Sequence, residues 1–281
     1  MYGTIIGDVA GSHYELIEGT AIREGLKVPY EKRIKILDRK VPLFDDRSTA
    51  TDDTILAFAV LQKLLNGGTY EEQYRYYGNR ELEIGFDKRG IPSFGSAFEK
   101  WIKDNKQGES VSSYGNGASM RVSPIAYQFD DLKTILKETR LSCLPTHNHE
   151  EAINCAQMVT SSIFLARKGC TKEEIERYLQ SHHGYDAKYN IEYLRNNYIF
   201  TSRSKNSVPI AILAFLESTN FEDAIRKAIS IGGDTDTIAS IAGAISEAYY
   251  GIDINLLNDV EPYIPDYMKE DIKVFYKKRG M

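Results

Sequence analysis

The sequence predicts an all-α protein, and three observations carry that prediction. Apolar runs of helical length recur along the chain. Most open on Ser, Thr, Asp or Asn and close on Gly, the start and stop signals of helices. No segment sustains a two-residue alternation over several strands. Hydrophobic residues at 42% and charged residues at 27% suit a globular chain, and exclude a fibrous, collagen-like or wholly disordered one.

The elements follow in chain order. The opening stretch, Met1 to Glu15, lacks a basic leader and is interrupted by Asp8, so no signal peptide is expected there. Residues Lys27 to Arg47 are charged and carry Pro29 and Pro42, which reads as a surface excursion. Ser48 to Asp53 leads into ILAFAVLQKLL and stops at Gly67 and Gly68. His149 to Lys168 reads as a helix with Glu150 and Glu151 in its first turn and Arg167 in its last. Thr171 and Glu174 form a capping box for the next helix. Tyr185 to Phe200, rich in Tyr, is ambiguous, and His182 and His183 read as solvated loop residues.

The longest apolar run, Val208 to Leu216, contains Pro209 and falls well short of the roughly 20 residues that span a bilayer. Asn220 can cap FEDAIRKAI, and Thr235 or Asp236 can open TIASIAGAISEAYY, which ends at Gly251. That last helix is rich in Ala, Gly and Ser, so a neighbour can pack close to its backbone. Without a long linker or an internal repeat, residues 1–281 are expected to form a single domain. Cys143, Cys155 and Cys170 are odd in number and widely spaced, which fits reduced core thiols and a cytoplasmic protein. A formal charge of -5 argues against a general nucleic-acid binder.

Carboxylates stand in three costly places. One is Thr51-Asp52-Asp53-Thr54, before ILAFAV; a second is Gly232-Gly233-Asp234-Thr235-Asp236-Thr237; a third is Gly7-Asp8 through Glu15. Helix capping accounts for any one of them. Two double-acid turns feeding strongly apolar helices point instead to buried, mutually repelling carboxylates. Hard divalent cations relieve that repulsion, and ligands made only of oxygen suit Mg²⁺ or Mn²⁺. From spacing alone, both readings stay open.

These motifs resemble the ADP-ribosylglycohydrolase family. TDDT, GGDTDT and the early GD-x-x-G-x-x-x-E match it, as do Tyr114-Gly-Asn-Gly-Ala-Ser-Met-Arg-Val-Ser-Pro124 and Thr146-His147. The five motifs stand in the family's order across most of the chain. The resemblance implies an orthogonal multi-helix bundle and two Mg²⁺ or Mn²⁺ ions between the acidic helix starts. It implies Thr51, Asp52 and Asp53 as ligands from one start, and Asp234, Asp236 and Thr237 from the other. Glu15 would reach the metal or the attacking water, with Glu18 as its rival. Catalysis would fall to Glu15, Asp53 and Asp234.

By the same resemblance, Gly115, Asn116, Gly117 and Ser119 would bind the ADP-ribose pyrophosphate, and His147 a ribose or phosphate oxygen. Read by themselves, the glycines mark a turn whose amides can form an anion nest, His147 is a cap or surface residue, and Arg121 is a loop anchor or an ion-pair partner. The implied reaction is hydrolysis of the C1″ glycosidic bond of an ADP-ribosylated protein or other ADP-ribosyl conjugate, through an oxocarbenium-like transition state. A non-catalytic ADP-ribose-binding relative and a Mg²⁺-dependent phosphohydrolase are the alternatives. A monomer is expected, and nucleic-acid-linked ADP-ribose remains open as a substrate. Acceptor choice is expected to lie in Glu15 to Asp46 and Tyr70 to Gln107, whose aromatic residues either stack on adenine or pack in the core.

Overall fold

The computed structural model describes residues 1–23, 34–85, 93–104 and 108–280. Their regular structure is helical throughout, apart from one isolated bridge between Gly115 and Arg203. In chain order the α-helices are α1 (Tyr2–Arg23), α2 (Asp52–Asn66), α3 (Tyr70–Ile84), α4 (Ser96–Lys103), α5 (Ser123–Gln128), α6 (Leu132–Cys143) and α7 (Glu150–Arg167). They continue as α8 (Lys172–His183), α9 (Ile191–Asn197), α10 (Ser204–Leu216), α11 (Phe221–Ile231), α12 (Thr235–Tyr250), α13 (Ile254–Val260) and α14 (Asp266–Lys277).

Local chemistry explains most boundaries. Thr69 and Thr171 close complete capping boxes with Glu72 and Glu174. Asp131, His149, Asn190, Asn220 and Asp253 each accept a backbone N–H at the start of their helices. The ambiguous Tyr-rich stretch contains α9, opened by the Asn190 cap. The run with Pro209 is helical as α10, because its buried face outweighs the one backbone donor that proline lacks. His182 and His183 are not in a loop; they end α8, and His183 bonds Asn154 and Ser161 on α7. Cys143 and Cys155 are buried and Cys170 is half-buried, all as free thiols.

The central contact runs antiparallel between α1 and α12. A Cβ at Gly3 would come within 2.2 Å of the Gly243 carbonyl oxygen, one at Gly7 within 2.1 Å of Ala239 O, and one at Gly11 within 2.4 Å of Thr235 O. Only glycines at this four-residue spacing let the backbones touch. Glycine disfavours a helix by roughly 1 kcal/mol per residue, so packing must stabilise α1. Ile5, Ile6, Val9 and Ala10 are fully buried beside the glycines. The register lays Gly11, at the middle of α1, against the first turn of α12.

The excursion expected near residues 27–47 is tied down where it is described. Ile36 and Leu43 enter the core, and buried Arg226 on α11 donates to the carbonyls of Ile36 and Val41. Residues 27–33 lie outside the described chain. No helix among the described residues is long and apolar enough to cross a membrane.

Candidate active site

The two acidic helix starts differ from every capped start named above. Thr51 precedes α2 and Asp234 precedes α12, yet neither side chain accepts a cap hydrogen bond from its own helix. Among these acids Asp236 accepts an amide in its own first turn, that of Thr237 at 2.8 Å, but capping does not account for the whole set.

At α2 the cap comes from another helix. Asp8 of α1 accepts the Thr51 amide at 2.9 Å and its hydroxyl at 2.6 Å, and the Thr54 amide at 3.1 Å and its hydroxyl at 2.5 Å. Asp8 is fully buried. Burial, followed by the charge of Asp236, pushes its carboxyl up to about 6, against the pull of the Thr51 and Thr54 bonds. With Asp8 holding the α2 start, Asp53 is free for other work. Its Oδ2 accepts the Thr237 hydroxyl at 3.2 Å, while its buried Oδ1 has no hydrogen-bond partner among the described residues.

At α12 the chain enters through Gly232 and Gly233, both with φ near +80°. A side chain at Gly233 would strike the Tyr198 ring at 2.5 Å as well as strain the backbone. This turn delivers Asp234, whose Oδ2 accepts the Asn116 amide at 2.7 Å. Thr235 is anchored to Gly11 O at 2.8 Å, so α1 and α12 are pinned together one residue from Asp234 and Asp236.

The carboxylates converge in two groups of three. Asp8, Asp53 and Asp236 place oxygens within 4.8 Å of one another, as do Glu15, Asp234 and Asp236. Asp236 belongs to both. Glu15 lies two helical turns from Asp8, hence on the same face of α1. Burial, then the charges of neighbouring aspartates, holds Glu15, Asp53 and Asp234 well above the ordinary carboxylate range. Asp236 is the strongest of these charges in all three cases. Asp52, half-buried in the first turn of α2, stands outside both groups but adds to the negative potential at Glu15, Asp53 and Asp234. The side chain of Glu18 lies outside the described ones.

This donor set fits hard cations. It is built from oxygen, it includes an orphaned buried carboxylate oxygen, and its two groups share a ligand. The Thr51 and Thr237 hydroxyls sit beside it, donating to Asp8 and Asp53.

The loop from Tyr114 departs from expectation in one respect. Gly115 has φ −69°, and neither Gly115 nor Gly117 takes a positive φ. The amides of Gly115 and Asn116 already donate to Ser113 Oγ at 3.1 Å and Ser202 O at 2.8 Å, so these two form no open nest. The glycines instead make room for an imidazole. A Cβ on Gly117 would stand 3.3 Å from His147 Nε2, and one on Gly115 3.5 Å. Ser119 Oγ is buried with no partner among the described residues. Arg121 is an anchor: it is wholly buried, faces the Tyr74 ring at 4.0 Å and bonds Thr146.

Two contributions escaped the sequence reading. Asp8 was visible in a motif, but its role as a cap for another helix depends on a contact 43 residues away. The bond from Asn116 to Asp234 spans 118 residues. No local pattern signals either.

Comparison with known proteins places this geometry. Residues 1–272 match the family model described as ADP-ribosylglycohydrolase. The chain is 27% identical to the Homo sapiens ADP-ribosylhydrolase ARH3, over 89% of this chain and 84% of that protein. It is 28% identical to the Pseudomonas putida ADP-ribosylarginine hydrolase Tri1, over 72% of this chain and 59% of that protein. A solved structure described as an ADP-ribosylglycohydrolase-related protein complex superposes with a TM-score of 0.69 at 21% identity, over 98% of this chain and 95% of that one, which supports the shared fold.

Proposed function

This chain belongs to the ADP-ribosylglycohydrolase family and is a glycohydrolase, and on that premise we propose that it releases ADP-ribose from an ADP-ribosylated acceptor with the help of two Mg²⁺ or Mn²⁺ ions. The observation that carries the reading is the pair of three-carboxylate groups joined at Asp236. Thr51, Asp52, Asp53, Asp234, Asp236 and Thr237 would hold the ions, with Asp8 and Glu15 at the edges of the two groups. When bound, such cations supply Lewis-acid chemistry toward ligand oxygens.

The chain's own groups do the remaining work. Glu15 takes a proton from the water that adds to C1″. The bond from C1″ to the acceptor breaks, and the acceptor leaves with the electron pair and gains a proton. The products are ADP-ribose and the free acceptor. Asn116 keeps Asp234 oriented through its amide. Gly115, Asn116, Gly117, Ser119 and His147 line the place for the pyrophosphate and distal ribose, which puts C1″ within reach of Glu15.

For the acceptor, the name of the Pseudomonas putida relative favours an arginine linkage. Serine, O-acetyl and nucleic-acid-linked ADP-ribose share the same ADP-ribosyl half and belong in the same assay. Release of ADP-ribose should be measured across that linkage panel with Mg²⁺, with Mn²⁺ and with chelator. The reading expects release that needs a cation and is lost in Asp53→Asn and Asp234→Asn. Release that survives chelation and both substitutions would sink the metal-dependent mechanism.

A further inference from the structure

Arg121 has full side-chain burial, and no carboxylate lies within ion-pair distance of it among the described residues. Its Nη2 donates to Ser142 O at 3.1 Å and to Thr146 Oγ1 at 2.7 Å. The same Thr146 oxygen stands 2.8 Å from His147 Nδ1. An arginine can only donate. The Thr146 oxygen is therefore an acceptor toward Arg121, and its single proton is left for another partner.

Thr146 is buried, and its hydroxyl has no hydrogen-bonding neighbour among the described residues besides Arg121 and His147. If Nδ1 carried a proton, two donors would converge on one oxygen and the hydroxyl proton would have no acceptor. With Nδ1 bare, the Thr146 hydroxyl accepts from Arg121 Nη2 and donates to the ring, so its oxygen and its proton both have partners. The ring's proton then sits on Nε2, the nitrogen that faces Gly115 and Gly117.

We propose that Arg121 is a positioning residue that acts through Thr146 to lock His147 as the neutral Nε2–H tautomer, so that the imidazole presents one hydrogen-bond donor to a ligand oxygen above the Gly115–Gly117 turn. The proposal rests on the reading of this site as an ADP-ribose site and specifies how His147 recognises the ligand there. The receiving oxygen belongs to the pyrophosphate or to a ribose hydroxyl; both are acceptors. Burial first, and then the Arg121 charge, opposes protonation of the ring, so His147 serves as a fixed dipole and not as a cation or a general base.

The tautomer is measurable without substrate. Long-range ¹⁵N–¹H spectra of histidine-labelled protein, assigned with His147→Gln, distinguish a protonated from an unprotonated ring nitrogen. Wild type should show bare Nδ1 and protonated Nε2. Thr146→Val should shift His147 toward the Nδ1–H form, and Thr146→Ser should restore the wild-type pattern. Arg121→Lys keeps the charge but loses the fork, and should give a mixed population. ADP-ribose affinity should fall about tenfold in Thr146→Val, the effect of one lost hydrogen bond. A wild-type His147 protonated at Nδ1, or a tautomer unmoved by both Thr146→Val and Arg121→Lys in folded protein, would overturn the proposal. These spectra need no turnover, so they can fail while the ADP-ribose release assay succeeds, and the reverse.

Discussion

The carboxylate of Asp8 caps the helix that begins at Thr51, taking its amide at 2.9 Å and its hydroxyl at 2.6 Å. The cap crosses from α1 to α2 and also holds Thr54. Asp8→Ala would leave two buried amides and two buried hydroxyls without acceptors. The expected loss is about 2–4 kcal/mol of stability, from several unsatisfied groups at once. Asp8→Asn, which keeps some acceptor capacity, should lose less. Urea unfolding of the three proteins measures the order, and equal midpoints would contradict it.

The carboxylate cluster sets a pH dependence with a definite sign. Asp8 titrates at about 6 in the folded chain against 3.8 for an ordinary carboxyl, and Asp53, Asp234 and Glu15 are displaced in the same direction. In this window the folded state holds more protons than the unfolded state. These acids therefore make the cation-free protein less stable as pH rises through it. Bound cations replace those protons, so the gain in Tm on adding Mg²⁺ should be larger at about pH 8 than at about pH 5. Differential scanning fluorimetry with and without chelator gives the comparison. An equal gain at both pH values would count against the assigned cluster.

His147 contributes with the opposite sign. Burial first, then the Arg121 charge, lowers its imidazole from 6.5 to about 3. The unfolded chain takes up a proton below 6.5 while the folded chain does not, so stability drains as pH falls from about 6.5 toward 3. One such group adds at most about 1.4 kcal/mol per pH unit to the slope. His147→Gln should flatten the acid limb of the stability curve, read from urea midpoints at stepped pH. A limb as steep as that of wild type would rule this out.

The glycine contact is directly testable. A Cβ at Gly7 meets the Ala239 carbonyl at 2.1 Å, and the obstacle is backbone, which cannot turn aside. Gly7→Ala should cost about 3 kcal/mol or more, at or above the upper range for overpacking. Gly95→Ala, where nothing lies within 4 Å, should stay within about 0.5 kcal/mol. Comparable changes at the two positions would rule out the backbone contact as the cause, since alanine otherwise favours a helix over glycine.

Much of this architecture was legible in the sequence because helix ends are written locally. Thr171, Asn220 and Gly251 mark their boundaries by side-chain or backbone chemistry within a few residues. The clustering of Asp53 with Asp236 was also legible, since both open apolar helices that must be buried. What stayed hidden was carried by long-range contact. Thr51 looks like a cap and is itself capped by Asp8. Asn116 looks like part of a nest and instead orients Asp234. Pro209 lacks a backbone donor and still lies within a helix, whose burial outweighs one missing bond. In each case a tertiary partner overrides what the local residues would do alone.

The stripe of Gly3, Gly7 and Gly11 against Gly243, Ala239 and Thr235 has a further consequence. Both rows repeat every four residues, so the interface is nearly periodic. Sliding α1 by one turn would again set small residues opposite one another at most positions, yet carry Glu15 about 6 Å along the helix axis. Packing alone thus permits more than one alignment. Three polar fixings remove the ambiguity: Asp8 on Thr51 and Thr54, Glu247 of α12 accepting the Gly3 amide at 2.8 Å, and the Thr235 hydroxyl donating to Gly11 O. The glycines set how near the helices come, and these polar contacts set which of the equivalent notches is used. The position of Glu15 along its axis is therefore decided by polar contacts lying between 4 and 12 residues away from it in the sequence.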